Sequence, residues 1–260
     1  MNRIDPVAAA GFAGAAGVYE RARPSYPADA IDWLFERTGV GAGDTIVDLG
    51  AGTGKLTRLL VPSGARVVAV EPIPEMRALI DVGEPIDGTA ESIPLGNGSA
   101  ALVTVAQAFH WFDLDRALPE IHRVLRSRGC LALVWNMRDL EDPVQRGVDD
   151  LLAPYRGRLS AQREGRWRAP FAASRLFGDL ETAEFRYEQR FTADDLENRV
   201  ASTSFVAAMS EEERRPLLDE VRALVADRKE PFPFPYVTEV SLFPRTRDRV
   251  PEERGTSIEG

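Results

Sequence analysis

One strand-to-helix turn limits what this chain can fold into more than any other stretch. Thr45-Ile46-Val47-Asp48-Leu49 is β-branched and aliphatic and reads as a strand, while Lys55 to Val61 carries aliphatic residues at helical spacing. Gly50, Gly52 and Gly54, spaced two apart, therefore occupy the turn between them, where a ligand can lie against bare backbone. A second apolar run, Arg66 to Glu71, reads as the next strand and ends in that acid. Together they outline a pocket for a nucleotide-type cofactor.

Three kinds of cofactor use such a turn, and the spacing separates them. Counted from Gly50, a dinucleotide fingerprint needs its third glycine where this chain has Lys55. A phosphate-cradling loop needs glycine at Leu49 and Ser or Thr at Leu56, so Gly54-Lys55 is a near miss. What remains is Asp48-x-Gly50-x-Gly52-x-Gly54 with an acid at the end of the next strand. This resembles motif I and the following acidic position of class I S-adenosylmethionine-dependent methyltransferases.

Alternating signals continue along the chain. Ala28 to Arg37 reads as an amphipathic helix, Pro74 to Ile80 starts another, Pro85 to Gly88 is a short strand and Ala100 to Ala106 a buried one. Leu114 to Leu125 follows as a helix and Cys130 to Trp135 as a strand, which predicts an α/β fold with a parallel sheet and helices on both faces. Ligands bind beyond the carboxyl ends of such strands, the edge that would hold the glycine turn, Glu71, Ala90-Glu91 and Gln107 to Phe112. Thr182 to Phe191 and Tyr236 to Phe243 alternate like strands, and Glu211 to Asp227 has helical spacing. The Arg-, Pro- and Gly-rich stretch from Pro143 to Asp179, with Trp167 and Phe171, reads as a cap over an acceptor pocket or as an irregular packing insertion.

Longer strings narrow the resemblance. Gln107-Ala108-Phe109-His110-Trp111-Phe112, Ile121 to Arg126, Leu133 to Asn136 with Arg138-Asp139, and the upstream Tyr19 to Pro27 are similar to a small-molecule branch of those methyltransferases. That branch contains trans-aconitate methyltransferase-like and cantharidin-resistance-like proteins. The resemblance implies a Rossmann-like, mostly parallel seven-stranded sheet with an antiparallel closing strand, an N-terminal lid and a cap insertion. It also implies S-adenosylmethionine as methyl donor, S-adenosylhomocysteine as coproduct and a small-molecule acceptor methylated at a carboxylate or hydroxyl oxygen. N- or C-methylation in the same site is the alternative, as is a binding protein that has lost the chemistry.

The cofactor residues follow position by position. The backbone at Gly50, Ala51, Gly52 and Gly54 would approach the methionyl part, with Asp48 near its amino group or fixing the turn. Glu71 suits two vicinal ribose hydroxyls, and Pro72 and Ile73 an adenine wall. Thr89 stands where the family carries an acid before Ala90, a gap that Glu91 can fill. Tyr19 and Arg23 would sit on the lid, Arg23 facing a carboxylate. Gln107 would hold cofactor or substrate through its amide. His110 is the catalytic candidate, as a base for a hydroxyl or an orienting group for a carboxylate, with Trp111 and Phe112 lining the acceptor side; packing between aromatic residues is its other reading.

Composition sets bounds. With 44% hydrophobic content, 260 residues can bury one substantial core, read as a single domain. Its parts are a lid and helix at 1–38, a cofactor-binding core at 39–140, a cap at 141–180, closing strands and helices at 181–245 and a flexible tail at 246–260. A formal net charge of -9 argues against a nucleic-acid surface, and one cysteine with two histidines offers no cysteine-based metal cluster. A reducing, cytoplasmic setting is expected. Val7 to Val18 has the small apolar character of a signal segment, yet glycines interrupt it and it is too short to cross a bilayer.

Overall fold

The computed structural model describes residues 23–155, 169, 171 and 174–246. A seven-stranded sheet has the order β3-β2-β1-β4-β5-β7-β6. Its strands are β1 (Thr45–Leu49), β2 (Arg66–Val70), β3 (Glu84–Ile86), β4 (Ala100–Ala106), β5 (Leu125–Arg138), β6 (Glu181–Phe191) and β7 (Phe232–Pro244). Pairings among β1 to β5 are parallel, and β7 runs antiparallel to both neighbours. The expected Rossmann-like sheet with one antiparallel closing strand is thus the observed one.

Strand alternation explains why both faces are covered. Val47, Leu49, Val68, Val70, Val103, Val105, Leu131 and Leu133 face one way and pack with Leu118, Ile121 and Val124 of α4 (Leu114–Val124). Ile46, Val67, Leu102, Ala132 and Val134 face the other and meet Ile31 and Leu34 of α1 (Ala28–Thr38) and Leu56 and Leu60 of α2 (Lys55–Leu60). Near-continuous apolar strands are what two-sided burial requires.

A third apolar cluster lies beyond the end of β5. There α5 (Pro143–Leu152), α6 (Ala193–Ala201) and α8 (Glu211–Ala223) bury Val148, Leu196, Val200, Leu218 and Val221 against Phe234 and Tyr236 of β7. Capping boxes at Thr192/Asp195 and Ser210/Glu213 start α6 and α8 by satisfying their first backbone N–H groups. The short α3 (Pro74–Arg77) and α7 (Ser204–Ala207) complete the helices described.

Several sequence-read boundaries differ. β5 begins at Leu125, directly after α4, because Arg128 takes φ 66° and the register to β4 slips between Ala100 and Leu102, so Leu125 already pairs with Ala100. Phe171, in the stretch read as a cap or as an irregular packing insertion, is buried in the sheet core, its ring 4.0 Å from that of Phe243, as the second reading has it. Tyr19, Trp167 and the tail from residue 247 lie outside the described residues.

Candidate active site

The site grows from the carboxyl ends of β1, β2, β4 and β5. Gly50 and Ala51 both donate their backbone N–H to the carbonyl of Val70, at 2.9 and 3.2 Å, which folds the turn over β2. Gly50 has φ 69°, and a Cβ there would stand 2.8 Å from Ala108 Cβ, so the turn closes tightly on the segment after β4. Gly52 has φ 59° and open space where its Cβ would be, leaving bare backbone at the mouth of the cleft. Gly54 ends the turn as the residue preceding α2.

Glu71 is only 4% exposed, and each of its carboxylate oxygens accepts one backbone N–H. Gly52 N–H donates to Oε2 at 2.8 Å and Ile73 N–H to Oε1 at 2.9 Å. Burial raises its pKa, and these two N–H groups, with the charge of Arg77, oppose the rise. Each oxygen keeps a second lone pair for a ligand hydroxyl.

Asp48 lies underneath. It is 1% exposed and accepts from Thr57 Oγ1 of α2 at 2.6 Å and Thr104 Oγ1 of β4 at 3.2 Å. Burial pushes its carboxyl up to about 6 against the two threonine hydrogen bonds, with the Glu71 charge adding to the rise. It lines neither cavity of the cleft. Of the two readings of Asp48, facing a cofactor amine or fixing the turn, this geometry matches the second: its oxygens accept from α2 and β4 and hold the turn from below.

The cleft has two chambers that share Gly50, Gly52, Ala106 and Gln107 as walls. The larger, about 270 Å³, has Pro72, Ile73 and Met76 on one side and Trp111 and Phe112 on the other. Its charged lining is acidic: Glu71, Glu91 and Asp113. The smaller, about 60 Å³, is lined by Arg23, Lys55 and Arg199, with Asn136 at its floor and no acid among the described residues.

Gln107 stands at the junction with φ 57°, an uncommon conformation for a non-glycine residue, and its amide reaches the Asn136 carbonyl at 3.4 Å. Asn136 is fixed in turn: its Oδ1 accepts from Thr238 Oγ1 at 2.6 Å and its Nδ2 donates to the Ser25 carbonyl at 2.9 Å. His110 sits on the short 3-10 turn Phe109–Trp111, its ring centroid 4.6 Å from Trp111 and 5.8 Å from Trp135. Desolvation, then the charge of Arg23, push its pKa down to about 4, although the residue as a whole is exposed.

Residues 47–133 match the family model described as a methyltransferase domain. The chain is 41% identical over 223 residues to an uncharacterized methyltransferase of Mycobacterium tuberculosis, Rv3342, covering 83% of this chain and 85% of that protein. It is 36% identical over 211 residues to the uncharacterized methyltransferase-like C25B8.10 of Schizosaccharomyces pombe, covering 78% and 82%. The chain belongs to the S-adenosylmethionine-dependent methyltransferases. A solved structure from Anaeromyxobacter dehalogenans, provisionally described as a type II methyltransferase, superposes with a TM-score of 0.62 at 26% identity, covering 86% of this chain and 97% of that one.

Most residues read from the sequence converge in this methyltransferase. Gly50, Gly52, Glu71, Pro72, Ile73, Ala90, Glu91, Gln107, Trp111 and Phe112 line the larger chamber, and Arg23 and Ala51 the smaller. Glu91 also accepts from the Asp113 N–H at 2.9 Å, so part of its capacity is used. His110 lines neither chamber, although Ala108, Trp111 and Phe112 around it line the larger. Arg199, Lys55 and Asn136 were missed as site residues. Lys55 entered the sequence reading only as the residue that breaks the dinucleotide and phosphate-loop patterns and Asn136 only within the Leu133 to Asn136 string, while Arg199 lies on a helix, α6, that no sequence signal marked. Among the described residues no group of three or more His, Cys, Asp or Glu could hold a metal ion, and no helix is long and apolar enough to cross a membrane.

Proposed function

We propose that this methyltransferase moves a methyl group from S-adenosylmethionine to an oxygen of a small organic acid. The observation that carries the reading is the division of one cleft into an acid-lined and a cation-lined chamber that meet at the glycine turn. The residues fit the cofactor. Glu71, held by two backbone N–H groups, offers lone pairs to vicinal hydroxyls, and Pro72, Ile73, Met76 and Ala90 offer an apolar wall to a purine. Glu91 and Thr89 border the same wall and can receive an exocyclic amine. The open backbone at Gly52, with Gly50 and Ala51 beside it, leaves room for the methionyl part, and Arg23 has the planar fork for its carboxylate.

The cofactor supplies a methyl group on a sulfonium, so transfer is an in-line displacement and the protein's main task is alignment. A hydroxyl acceptor calls for a base, whereas a carboxylate oxygen is already ionised at neutral pH. A carboxylate acceptor needs no base, and His110, whose pKa is lowered so that the imidazole is neutral at neutral pH, can donate a hydrogen bond to it from the edge of the larger chamber. A formal net charge of -9 suits a small-molecule acceptor rather than a nucleic acid.

The test is calorimetric titration with S-adenosylmethionine, S-adenosylhomocysteine and NAD, followed by transfer of a tritiated methyl group to a panel of small acids and phenols. Micromolar binding of the first two and a product that releases methanol in alkali are expected, since methyl esters hydrolyse and methyl ethers do not. Preference for NAD, or a label stable to alkali, would overturn the cofactor or the carboxylate assignment respectively.

A further inference from the structure

We infer that two copies of this chain pair through the free edge of β6, antiparallel about a two-fold axis at Tyr187, which joins their seven-stranded sheets into one. This contact lies outside the cleft and does not depend on what the cleft binds.

The two edges of the sheet differ. β3 is three residues long with Pro85 at its centre, a combination that blocks further pairing. β6 runs for 11 residues, Glu181–Phe191, without Gly, Pro or Lys, and its register to β7 is unbroken. Among the described residues it pairs with β7 alone. Proline fixes which of its main-chain groups are left over. Pro233 and Pro235 of β7 stand opposite Arg190 and Glu188 and have no N–H to exchange, so the odd-numbered residues of β6 carry the ladder to β7. The N–H and C=O groups of Thr182, Glu184, Arg186, Glu188 and Arg190 therefore point away from β7, towards the free edge. All five of these residues are exposed.

Charge decides what fits this edge. Glu184, Arg186, Glu188 and Arg190 alternate in sign along one face of β6. Arg186 meets Asp139 and Glu141 of its own chain, and Arg190 Nη2 donates to the Pro231 carbonyl at 2.6 Å, whereas Glu184 and Glu188 make no ion pair among the described residues. In an antiparallel pair centred on Tyr187, Arg186 faces the second copy's Glu188 and Glu184 faces its Arg190, and the two-fold axis repeats both, so every charge of the row meets its opposite. Centred on Arg186 or Glu188 instead, the row sets like charges against each other, and centred on Phe185 or Gln189 it matches only two of its four members. A row complementary to itself selects a second copy of the chain over an unrelated strand. The four charged positions would exchange about eight main-chain hydrogen bonds across the axis. Because the same edge is used on both sides, assembly closes at a dimer and does not propagate into a fibre.

Sedimentation equilibrium of the full chain reads the contact. The wild type should show a monomer–dimer equilibrium that tightens as salt is lowered. Glu184→Arg sets arginine against arginine at both ends of the row and should raise the dimer Kd at least ~10-fold, as should Arg190→Glu, while the two exchanges combined should return it to within ~3-fold of the wild type. Only the register centred on Tyr187 gives that rescue. Should Glu184→Arg fail to fold, Glu188→Gln keeps the shape, removes the charge and should raise the Kd ~3-fold. The backbone amides of Glu184, Arg186, Glu188 and Arg190 should exchange with deuterium slowly at ~200 µM protein and faster at ~2 µM, because dilution frees the edge. A monomer at ~200 µM, or a dimer indifferent to the single exchanges or not rescued by the pair, would overturn the contact. Amide protection independent of concentration would overturn it too, since the edge would then be covered from within one chain.

Discussion

The two chambers of the cleft share a glycine turn and differ in almost everything else. The larger is acidic and apolar, and its walls come from consecutive elements between Gly50 and Asp113. The smaller is cationic, and its three charges come from positions 23, 55 and 199, brought together by packing α6 and the segment before α1 onto the same sheet edge. A single turn can thus present one backbone to two opposite chemistries. The electrostatic character of each side is set by which segments the fold lays against it, not by the turn.

The sharpest way to break this comparison is to fill the shared wall. Gly50→Ala places a Cβ 2.8 Å from Ala108 Cβ at φ 69°, and should weaken S-adenosylhomocysteine binding more than ~100-fold while lowering stability by about 2 kcal/mol. Calorimetry and thermal unfolding read both. A variant that binds like the wild type would mean that the turn does not form the common wall.

Removing the acid from one chamber should leave the other intact. Glu71→Ala strands the Gly52 and Ile73 N–H groups and removes a charged acceptor, so S-adenosylhomocysteine should bind ~30-fold more weakly, equivalent to about 2 kcal/mol. Calorimetry reads the affinity, and unchanged binding would mean that the acid-lined chamber does not hold the cofactor.

Asp48 tests the support under the turn. Its folded pKa, raised from 3.8 to about 6, means that the folded state holds this proton more tightly than the unfolded chain. Stability should therefore fall as pH rises from about 4 to about 6, by on the order of 2 kcal/mol, and level off above. Thermal unfolding of Asp48→Asn across that range should lack this slope. An identical slope in the variant would place the titration elsewhere.

The smallest effect is expected at His110. His110→Ala should reduce kcat ~10-fold through lost orientation, with the cofactor Kd unchanged. Because its pKa is lowered to about 4, the imidazole stays neutral until the medium is acidified towards that value, so its contribution should be flat from pH 6 to 8 and decline below about pH 5. A kcat that rises with a midpoint near 6.5 and loses that midpoint in His110→Ala would restore the role of general base.

The difference between the chambers also explains what could be read in advance. Asp48, the glycines and Glu71 fall within one strand-turn-helix-strand unit, where period and spacing dictate geometry locally, and β1 and β4 have the boundaries their apolar runs suggest. Phe171 reads as either a cap aromatic or part of a packing insertion because nothing local says that it stacks on Phe243 across the sheet. Asp48 reads as either a cofactor ligand or a prop of the turn because the threonines that claim it, Thr57 and Thr104, lie on two other elements. Gln107 shows no sign of its φ of 57° in a sequence where any residue after β4 would look the same.

The sequence alone determined the α/β alternation, the turn that exposes its backbone and the acid that follows the second strand, because these depend on residues within a few positions of one another. Only the tertiary structure decided that Asp48 is a buried prop, that β5 starts at Leu125, and that Arg23 and Arg199, 176 positions apart by their numbers, face one small chamber. Charge placed by long-range packing leaves no period in the chain. It becomes visible only when the helix that carries it is set against the sheet.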